Sequence, residues 1–427
     1  MSVVLPSQAD ELEQSFALNG SLLDPYLNKF ANELQERAQL SAETWGQLSQ
    51  GAFEPECLTI YLSNRCNLQC SYCYAAQNGK RDLISIQKRV PGEGSNEAFP
   101  VINEEVVGAA ANVVAANCVN KGKPFTLVLH GGGEPTLHWA TIQRLASITK
   151  RIARSRNIKW WSYLATHGAI SDDKAQWLAR NINLIGLSCD GPPDIQNTQR
   201  PKHDGVPTSE LLKHTAKVFL SFGAKFVVRA TITPITVYRQ SEIVTYICQE
   251  LGAKEIRFEP VYFTEGSHKV GFKPADAEVF VSHFLDAEKR ARELGSELKM
   301  SGVRLDEIHG PYCNILRDVL HLTPDGSATA CFLSTDGREP GTASMTIGQL
   351  ESPGGNFRLH EERITAFRHQ ATRIPARCHD CVNVYHCVRE CPEVCPVVDQ
   401  EEDSRKEGGF RCRVQKQLAE HWILQAN

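Results

Sequence analysis

Six short apolar runs alternate with longer helical patterns between residues 57 and 294. Each run has the length of a strand, and each stretch that follows repeats its apolar residues at helical spacing. This order predicts an α/β fold in which parallel strands and right-handed crossovers form a partial (βα)6 TIM-like barrel. The functional site of such a barrel is expected at the C-terminal ends of its strands. The predicted strands are 57–62, 125–130, 160–166, 184–190, 225–233 and 255–261, and the predicted helices cover roughly 103–119, 138–155, 171–180, 208–222, 240–251 and 274–294.

The segments on either side of this pattern have a different character. Residues 9–50 carry leucines and phenylalanines at helical spacing, which indicates a helical extension that packs on or docks to the rest of the chain. Beyond residue 300 the helical rhythm fades, and eight of the fifteen cysteines lie there. Because apolar runs are few in that part, bound metal is expected to organise it. We therefore expect an N-terminal helical extension over 1–56, a barrel over 57–300 and an irregular cysteine-rich domain over 301–427.

The composition narrows the possible partners. The chain is 41% hydrophobic and 22% charged with a net charge of -4, so nucleic acid is not expected as a partner. The first residues lack the basic and apolar regions of a signal peptide, and no run of eighteen apolar residues follows. We expect a cytoplasmic protein without a membrane partner, in which cysteines serve as metal ligands, catalytic thiols or small buried hydrophobes. The last role is expected for Cys57, Cys118, Cys189 and Cys248, which lie within predicted strands or helices.

Three cysteines follow the first predicted strand at gaps of three and two, namely Cys66, Cys70 and Cys73. A 4Fe-4S cubane takes four soft thiolates, one for each iron. This loop can therefore hold three corners of a cubane and leaves the fourth iron without a local ligand. Structural zinc prefers a closed tetrahedral site built from paired CxxC units, so zinc and unligated thiols are the less favoured interpretations.

The Cx3Cx2C spacing after the first strand, with Tyr72 before the third cysteine, resembles the radical S-adenosylmethionine (radical SAM) superfamily. The resemblance implies that the amino and carboxylate groups of SAM bind the open iron and that Tyr72 lies at this cofactor. It also implies that an electron from the cluster cleaves SAM to a 5'-deoxyadenosyl radical, which abstracts a hydrogen atom from the substrate. The protein's own part would be to bind, to orient and to exclude water.

The motif HGGGEP (130–135) ends the second predicted strand. Glycines let the backbone approach a ligand closely. By the resemblance, such a motif faces the amino group of SAM, which makes cofactor-binding residues of Gly132, Gly133, Glu134 and Pro135.

The motif SCDGPP (188–193) ends the fourth predicted strand, and Arg200 follows ten residues after Asp190. The pattern is similar to that of peptide-modifying members, which implies that Ser188, Asp190 and Arg200 hold the ribose or carboxylate of SAM, or a substrate backbone. A turn with a helix N-cap is the alternative. After the third strand this chain has His167 where asparagine is commoner, and this side chain either faces the nucleoside or is a plain loop histidine.

The late cysteines include the spacing Cys378-x2-Cys381-x5-Cys387-x3-Cys391, with Cys313 and Cys331 before it and Cys412 after it. Zinc is the alternative for Cys378 and Cys381 taken alone. The whole pattern resembles the SPASM extension, a seven-cysteine module that carries two auxiliary clusters. The resemblance implies an outer 4Fe-4S cluster and an inner one, which makes three clusters in the chain. Cys395 is a candidate for the fourth inner ligand, and the alternative is an open site. The outer ligands would be Cys378, Cys381, Cys387 and Cys412, and the inner ligands would be Cys313, Cys331 and Cys391.

SPASM members act on ribosomally made peptides (RiPPs) or on protein side chains. The resemblance thus implies a radical SAM peptide-modifying oxidoreductase, or maturase, that forms a crosslink or thioether or excises backbone in a precursor peptide. An anaerobic sulfatase-maturing enzyme that makes formylglycine is the alternative within enzymes. An iron-sulfur electron-transfer or assembly scaffold is the alternative from another class.

Two further partners are expected beside the precursor peptide. The 56 residues before Cys57 are too few for a winged-helix leader-binding domain, so leader recognition falls to a separate partner protein or to the barrel and its extension. An electron donor such as flavodoxin or ferredoxin would supply the first cluster. The sequence does not single out a catalytic base.

Overall fold

The computed structural model describes residues 39–48, 50–73, 100–261, 271–337, 343–389 and 408–425, together with positions 36, 75 and 391. Cys395 and most of the N-terminal extension lie outside these residues.

A single sheet runs through the described residues, and parallel strands form its larger part. Its strand order is β11-β10-β9-β8-β1-β2-β3-β4-β5-β6-β7. Each pair from β1 to β7 is parallel, and β8 also lies parallel to β1, whereas β8 to β11 are mutually antiparallel. The strands are β1 Cys57–Ile60, β2 Phe125–Leu129, β3 Trp160–Thr166, β4 Leu184–Ser188, β5 Phe226–Ile232, β6 Glu255–Pro260, β7 Glu297–Met300, β8 Val319–Leu322, β9 Ala328–Thr329, β10 Thr346–Leu350 and β11 Phe357–Leu359.

Helices in the connections bury one side and expose the other, as their apolar spacing predicts. The first of them begins at the Asn103 side chain, which accepts a hydrogen bond from the Glu105 N–H at 2.7 Å, and ends at Gly122 in the left-handed conformation. The helices are α1 Glu104–Lys121, α2 Trp139–Ser155, α3 Asp172–Asn181, α4 Pro193–Gln199, α5 Ser209–Ser221, α6 Gln240–Glu250, α7 Ala277–Glu293, α8 Glu361–Ala371 and α9 Phe410–Gln425. None of the helices in the described part of the chain combines the length and apolarity that a bilayer crossing requires.

The predicted α/β architecture is confirmed, and the six predicted strands and six predicted helices form within a few residues of their expected bounds. The sequence did not predict β7, which has four residues with alternating burial, or β8, which contains the buried His321. The pairing of β8 with β1 joins the cysteine-rich part to the barrel sheet by backbone hydrogen bonds. The three-part division of the chain stays a prediction.

Helical residues 39–48 pack on the C-terminal part of the chain. The indole N–H of the buried Trp45 donates to the Thr372 carbonyl at 2.9 Å, and the Arg389 guanidinium lies 4.2 Å from the Trp45 ring centroid. At the other end, α9 packs against α7, and the buried Arg411 donates to the Pro260 carbonyl at 2.8 Å. These contacts bring both ends of the described chain to the cysteine-rich part and the end of β6.

Candidate active site

One cavity of about 490 Å³ lies at the C-terminal ends of the parallel strands, and β1 to β6 and β8 all contribute to its wall. The sheet therefore curls around this space. Nine of the residues that the sequence places at the first cluster and its cofactor line it, namely Cys66, Cys70, Cys73, Tyr72, Gly132, Gly133, Glu134, Ser188 and Arg200. Pro135 and Asp190 are buried and do not belong to the lining. A larger groove of about 950 Å³ along β10 and β11 contains none of the predicted site residues.

The glycine loop after β2 packs against the chain that leads into the three-cysteine loop. The Gly133 N–H donates to the Ser63 carbonyl at 3.0 Å, and the Glu134 N–H donates to the Arg65 carbonyl at 2.9 Å. A Cβ atom at Gly133 would lie 2.0 Å from the Arg65 carbonyl oxygen, which is closer than any real contact. Glycine is therefore required here for backbone-to-backbone approach, a role that the sequence did not reveal.

Glu134 ties the ends of β2 and β3 together. Its carboxylate is 4% exposed and accepts from the Thr136 hydroxyl at 2.6 Å, the Thr166 hydroxyl at 2.8 Å and the His167 N–H at 2.9 Å. A buried carboxylate with this many donors is held in one orientation. The wall that faces the cavity at this point is held in one geometry before any ligand arrives.

His167 connects the end of β3 to the three-cysteine loop. Its Nδ1 accepts from the Ala169 N–H at 3.0 Å, so Nε2 carries the proton and donates to the Asn67 Oδ1 at 2.8 Å. Burial lowers the pKa of His167, and the nearby Glu134 opposes this only in part, so the ring stays neutral at pH 7. His167 is therefore a fixed, neutral residue of the cavity wall, and its contact with the nucleoside stays a prediction.

Asp190 is fully buried and joins the three-cysteine loop to β5 and α4. Its carboxylate accepts from the Tyr72 hydroxyl at 2.6 Å, the Gln199 amide at 2.9 Å and the Thr231 N–H at 3.0 Å, and it lies 3.7 Å from the Arg200 guanidinium. Both carboxylate oxygens are thus taken by protein groups. Asp190 positions Tyr72 and Arg200, and these two residues face the cavity.

Arg200 keeps a donor for a ligand. One of its terminal nitrogens donates to the Tyr72 hydroxyl, and its Nε is buried without a partner among the described residues. Burial raises the pKa of Tyr72 well above its usual value, against the opposing effect of Arg200, so the phenol remains protonated. An anion in the cavity would satisfy the open guanidinium donor.

The three-cysteine loop is fixed by backbone hydrogen bonds to the end of α4. The Gln69 N–H donates to the Pro201 carbonyl at 2.8 Å, and the Ser71 N–H donates to the Gln199 carbonyl at 3.0 Å. Burial raises the pKa of Cys70 to about 12, so its thiolate needs a compensating cation such as iron. Within the described residues, the cavity lining includes no fourth cysteine.

No three or more histidine, cysteine, aspartate or glutamate side chains in the described part of the chain are grouped so as to hold one metal ion. The cysteines of a cubane each bind a different iron, so their sulfurs lie further apart than the ligands of a single ion. The finding is therefore compatible with three thiols around a cluster.

The four cysteines that the resemblance assigns to the outer cluster line one small cavity of about 20 Å³. They are Cys378, Cys381, Cys387 and Cys412. Asn383 lines the same cavity, and both polar atoms of its buried side chain lack partners among the described residues. Four thiols around a space that also holds an unsatisfied amide fit a cluster with sulfur acceptors.

Cys313 and Cys331 lie next to the main cavity. The Asn314 N–H donates to the Ala330 carbonyl at 3.0 Å, which pairs the two segments that carry these cysteines. Their sequence neighbours Tyr312, Asn314 and Phe332 line the main cavity. Cys391 is buried, and Cys395 lies outside the described residues. The scattered Cys118 and Cys189 are fully buried, as expected for small hydrophobes, and Cys57 and Cys248 are partly buried.

Glu259 is a cavity residue that the sequence did not single out. Its side chain is 7% exposed, Oε1 accepts from the Ser301 N–H at 3.0 Å, and Oε2 has no partner among the described residues. In the parallel pair of β5 and β6, Glu259 lies beside Thr231. The pair Arg229 and Arg257 lies two residues earlier on the same two strands. The signal was present in EIRFEPV, where charged residues alternate with apolar ones and hence face one side of the strand.

Two histidines line the interior of the barrel, of which His321 is fully buried and His130 is half-buried. The Tyr61 ring contacts His321 with a centroid distance of 4.1 Å and lies 6.2 Å from His130. Burial lowers the pKa of His130 to about 4 and that of His321 to about 3, so both are neutral at pH 7. These rings form an uncharged floor beneath the cavity.

The chain matches the sequence profile of one protein family and is similar in sequence to several known proteins. The sequence profile of the Radical SAM superfamily matches residues 60–240. A cysteine-type anaerobic sulfatase-maturating enzyme of Clostridium perfringens is 26% identical over 230 residues, which cover 52% of this chain and 57% of that enzyme. A serine-type anaerobic sulfatase-maturating enzyme of Bacteroides thetaiotaomicron is 22% identical over 209 residues, covering 48% and 46%. The chain thus spans about half the length of the curated relatives it matches.

Solved structures share the fold. Native anSMEcpe with bound AdoMet matches with a TM-score of 0.63 at 19% identity, covering 86% of this chain and 97% of that one. SuiB of Streptococcus suis bound to S-adenosylmethionine matches with a TM-score of 0.50 at 15% identity, covering 90% and 83%. At these identities the matches establish the fold.

The close approach at Gly133 leads to a test. We expect Gly133→Ala to separate the glycine loop from Arg65, to lower the free energy of unfolding by about 1–3 kcal/mol, and to reduce the iron bound per chain after anaerobic reconstitution. Gly108→Ala is the matched control, since its Cβ would meet nothing within 4 Å inside α1. Stability and iron content equal to the control would contradict the proposed packing role.

Proposed function

Because residues 60–240 form a radical SAM domain, we propose that this chain is a radical SAM enzyme that modifies a ribosomally made peptide after hydrogen abstraction. The observation that carries the proposal is the single cavity in which the three-cysteine loop, the glycine loop and the polar barrel interior meet. Its volume of about 490 Å³ suits a cofactor together with a side chain rather than a large second substrate.

When bound, a 4Fe-4S cluster and SAM supply a 5'-deoxyadenosyl radical that removes a hydrogen atom from the substrate. Cys66, Cys70 and Cys73 would hold the cluster, and the glycine loop would form the wall beside the SAM amino group. Ser188 and Arg200 face the same cavity, so the open Arg200 donor is assigned to the SAM carboxylate. Asp190 acts through Tyr72 and Arg200 rather than by direct contact.

Glu259 is proposed as the group that takes a proton from the substrate. An oxidative bond formation removes one hydrogen atom, one proton and one electron from the reacting residues. Glu259 has one carboxylate oxygen fixed by the Ser301 N–H and a second without a partner in the described part of the chain. A carboxylate held in this way at the cavity wall is poised for general base catalysis.

The electron is proposed to leave past Cys313 and Cys331. Their neighbours Tyr312 and Phe332 line the cavity, which puts this segment beside the space for the substrate. The proposed outer cluster at Cys378, Cys381, Cys387 and Cys412 would pass the electron toward an external carrier, while an electron donor such as flavodoxin or ferredoxin would supply the first cluster. A precursor peptide is thus the proposed substrate, and a leader-binding partner protein stays part of the proposal.

A second candidate is formylglycine formation in a sulfatase. It is favoured by the names of the curated relatives, which act on cysteine or serine of sulfatases. The two candidates share the cavity and differ in the peptide that enters it. An iron-sulfur scaffold, in contrast, would bind clusters without consuming SAM.

The first test is turnover of the reconstituted full chain under reducing, oxygen-free conditions. We expect 5'-deoxyadenosine to form, and we expect its amount to rise when the cognate short peptide is added. Mass spectrometry after treatment with an aldehyde-reactive hydrazide then distinguishes the candidates. Formylglycine made from cysteine or serine carries an aldehyde and is labelled, whereas a crosslinked peptide has lost two hydrogens and is not labelled. The variant Cys66→Ala/Cys70→Ala/Cys73→Ala is the control without activity. A chain that binds iron at this loop but yields no 5'-deoxyadenosine would refute the enzyme proposal.

The second test concerns Glu259. We expect Glu259→Gln to keep SAM cleavage and hydrogen transfer into 5'-deoxyadenosine, while the rate of product formation falls by about 10²–10⁴-fold. Glu297→Gln is the matched control on the neighbouring strand β7, because its exposed side chain pairs with Lys299 and neither residue lines the cavity. Equal product rates in both variants would remove Glu259 from the mechanism.

A further inference from the structure

Arg389 is a buried cation at the wall of the four-cysteine cavity. It is 5% exposed, and its guanidinium donates to two backbone carbonyls, Arg373 at 2.9 Å and Val384 at 3.2 Å. Among the described residues no carboxylate pairs with it, and its Nε has no hydrogen-bond partner. A buried charge without a counter-charge is unfavourable, so an anion is expected within its reach.

The same cavity contains a second unsatisfied group. Asn383 is 1% exposed, and neither its amide nitrogen nor its amide oxygen has a partner in the part of the chain that the structure describes. Leaving a buried amide without hydrogen bonds costs free energy. A donor that is unsatisfied in the protein alone indicates an acceptor that the protein itself does not supply.

The backbone at Arg389 supplies a third donor. Its φ angle is +52°, which is unfavourable for an arginine, and its N–H donates to the Cys387 sulfur at 3.2 Å. The guanidinium is held at the same time against the Trp45 ring at 4.2 Å. The N-terminal helical residues 39–48 therefore help to fix the residue that carries both the N–H donor and the cation.

The Arg389 guanidinium, the Arg389 N–H and the Asn383 amide would all stabilise negative charge on a group bound by the four thiols. A cluster held by four thiolates is anionic, and its negative charge increases on reduction. Hydrogen bonds to its sulfurs and a nearby cation stabilise the reduced form more than the oxidised form. The charge at the first cluster site is arranged differently. Arg200 is the cation near Cys70, and its charge is already opposed by the carboxylate of Asp190.

We propose that Asn383 and Arg389 raise the reduction potential of the outer cluster by hydrogen bonding and charge, and that Trp45 holds Arg389 in place for this. The outer cluster thereby has a higher reduction potential than the first cluster and accepts electrons from it. This inference rests on the proposed function in one respect, the presence of a 4Fe-4S cluster at Cys378, Cys381, Cys387 and Cys412. It assigns to Asn383, Arg389 and Trp45 the role of positioning and tuning residues.

The experiment is a redox titration followed by electron paramagnetic resonance on the full, reconstituted chain that carries Cys66→Ala/Cys70→Ala/Cys73→Ala. That background removes the signal of the first cluster and leaves the auxiliary ones. In Asn383→Leu and in Arg389→Met we expect one midpoint potential to fall, while the other signal stays as an internal reference. The expected size is about a tenfold change in the oxidised-to-reduced ratio at fixed potential, which corresponds to about 59 mV for one electron.

Three further variants keep the test decisive. Arg389→Lys keeps the charge and is expected to recover part of the potential that Arg389→Met loses. Trp45→Leu leaves the cavity lining intact and is expected to shift the same signal by a smaller amount, which gives a measurement even if a cavity variant fails to load iron. Asn181→Leu is the matched control, an asparagine in α3 whose amide bonds the Trp177 carbonyl far from any cysteine of the site.

The possible failures are distinguishable. Full iron content with unchanged potentials in Asn383→Leu, Arg389→Met and Trp45→Leu would overturn the inference and leave the proposed function standing. Zinc in place of iron at the four cysteines would overturn the inference and the outer cluster together. In that case the formation of 5'-deoxyadenosine by the unmodified chain still decides the enzyme proposal on its own.

Discussion

Two buried carboxylates determine where the three-cysteine loop lies. Asp190 binds the Tyr72 hydroxyl within that loop, and Glu134 binds the end of β3, where His167 reaches back to Asn67. Each carboxylate accepts hydrogen bonds from several protein donors, so removing one of them would leave a buried polar atom without its partner. The loop is thus attached to the ends of three neighbouring strands. The cavity, the open Arg200 donor and the approach of the glycine loop all depend on this attachment.

Charge is distributed differently at the two cysteine sites. At the first, Arg200 faces Asp190, and the uncharged His130 and His321 lie on the barrel floor. At the second, Arg389 has no carboxylate among the described residues and packs on Trp45. Since buried charges interact strongly in a medium of low polarity, this difference bears directly on which site holds an electron more easily. With the proposed clusters bound at both sites, this difference would set a direction for electron flow.

Local patterns were enough to predict the alternation of strands and helices, because burial repeats with a fixed period along each element. They were also enough to place HGGGEP and SCDGPP at strand ends. They did not predict β8, because its pairing with β1 joins segments far apart in the chain. Nor did they reveal Glu259 as a cavity residue, since an alternating charged strand is also typical of a sheet with one solvent-exposed face.

The sequence by itself determined the βα architecture, the three-thiol loop and the set of late cysteines, since each of these follows from spacing along the chain. Only the tertiary structure decided that Glu259 lines the main cavity, that Asp190 acts through its neighbours, and that Trp45 packs on Arg389. The physical reason is that these contacts bring together residues distant in sequence. Burial and the supply of hydrogen-bond partners, which set the chemistry of each group, are properties of the folded surroundings.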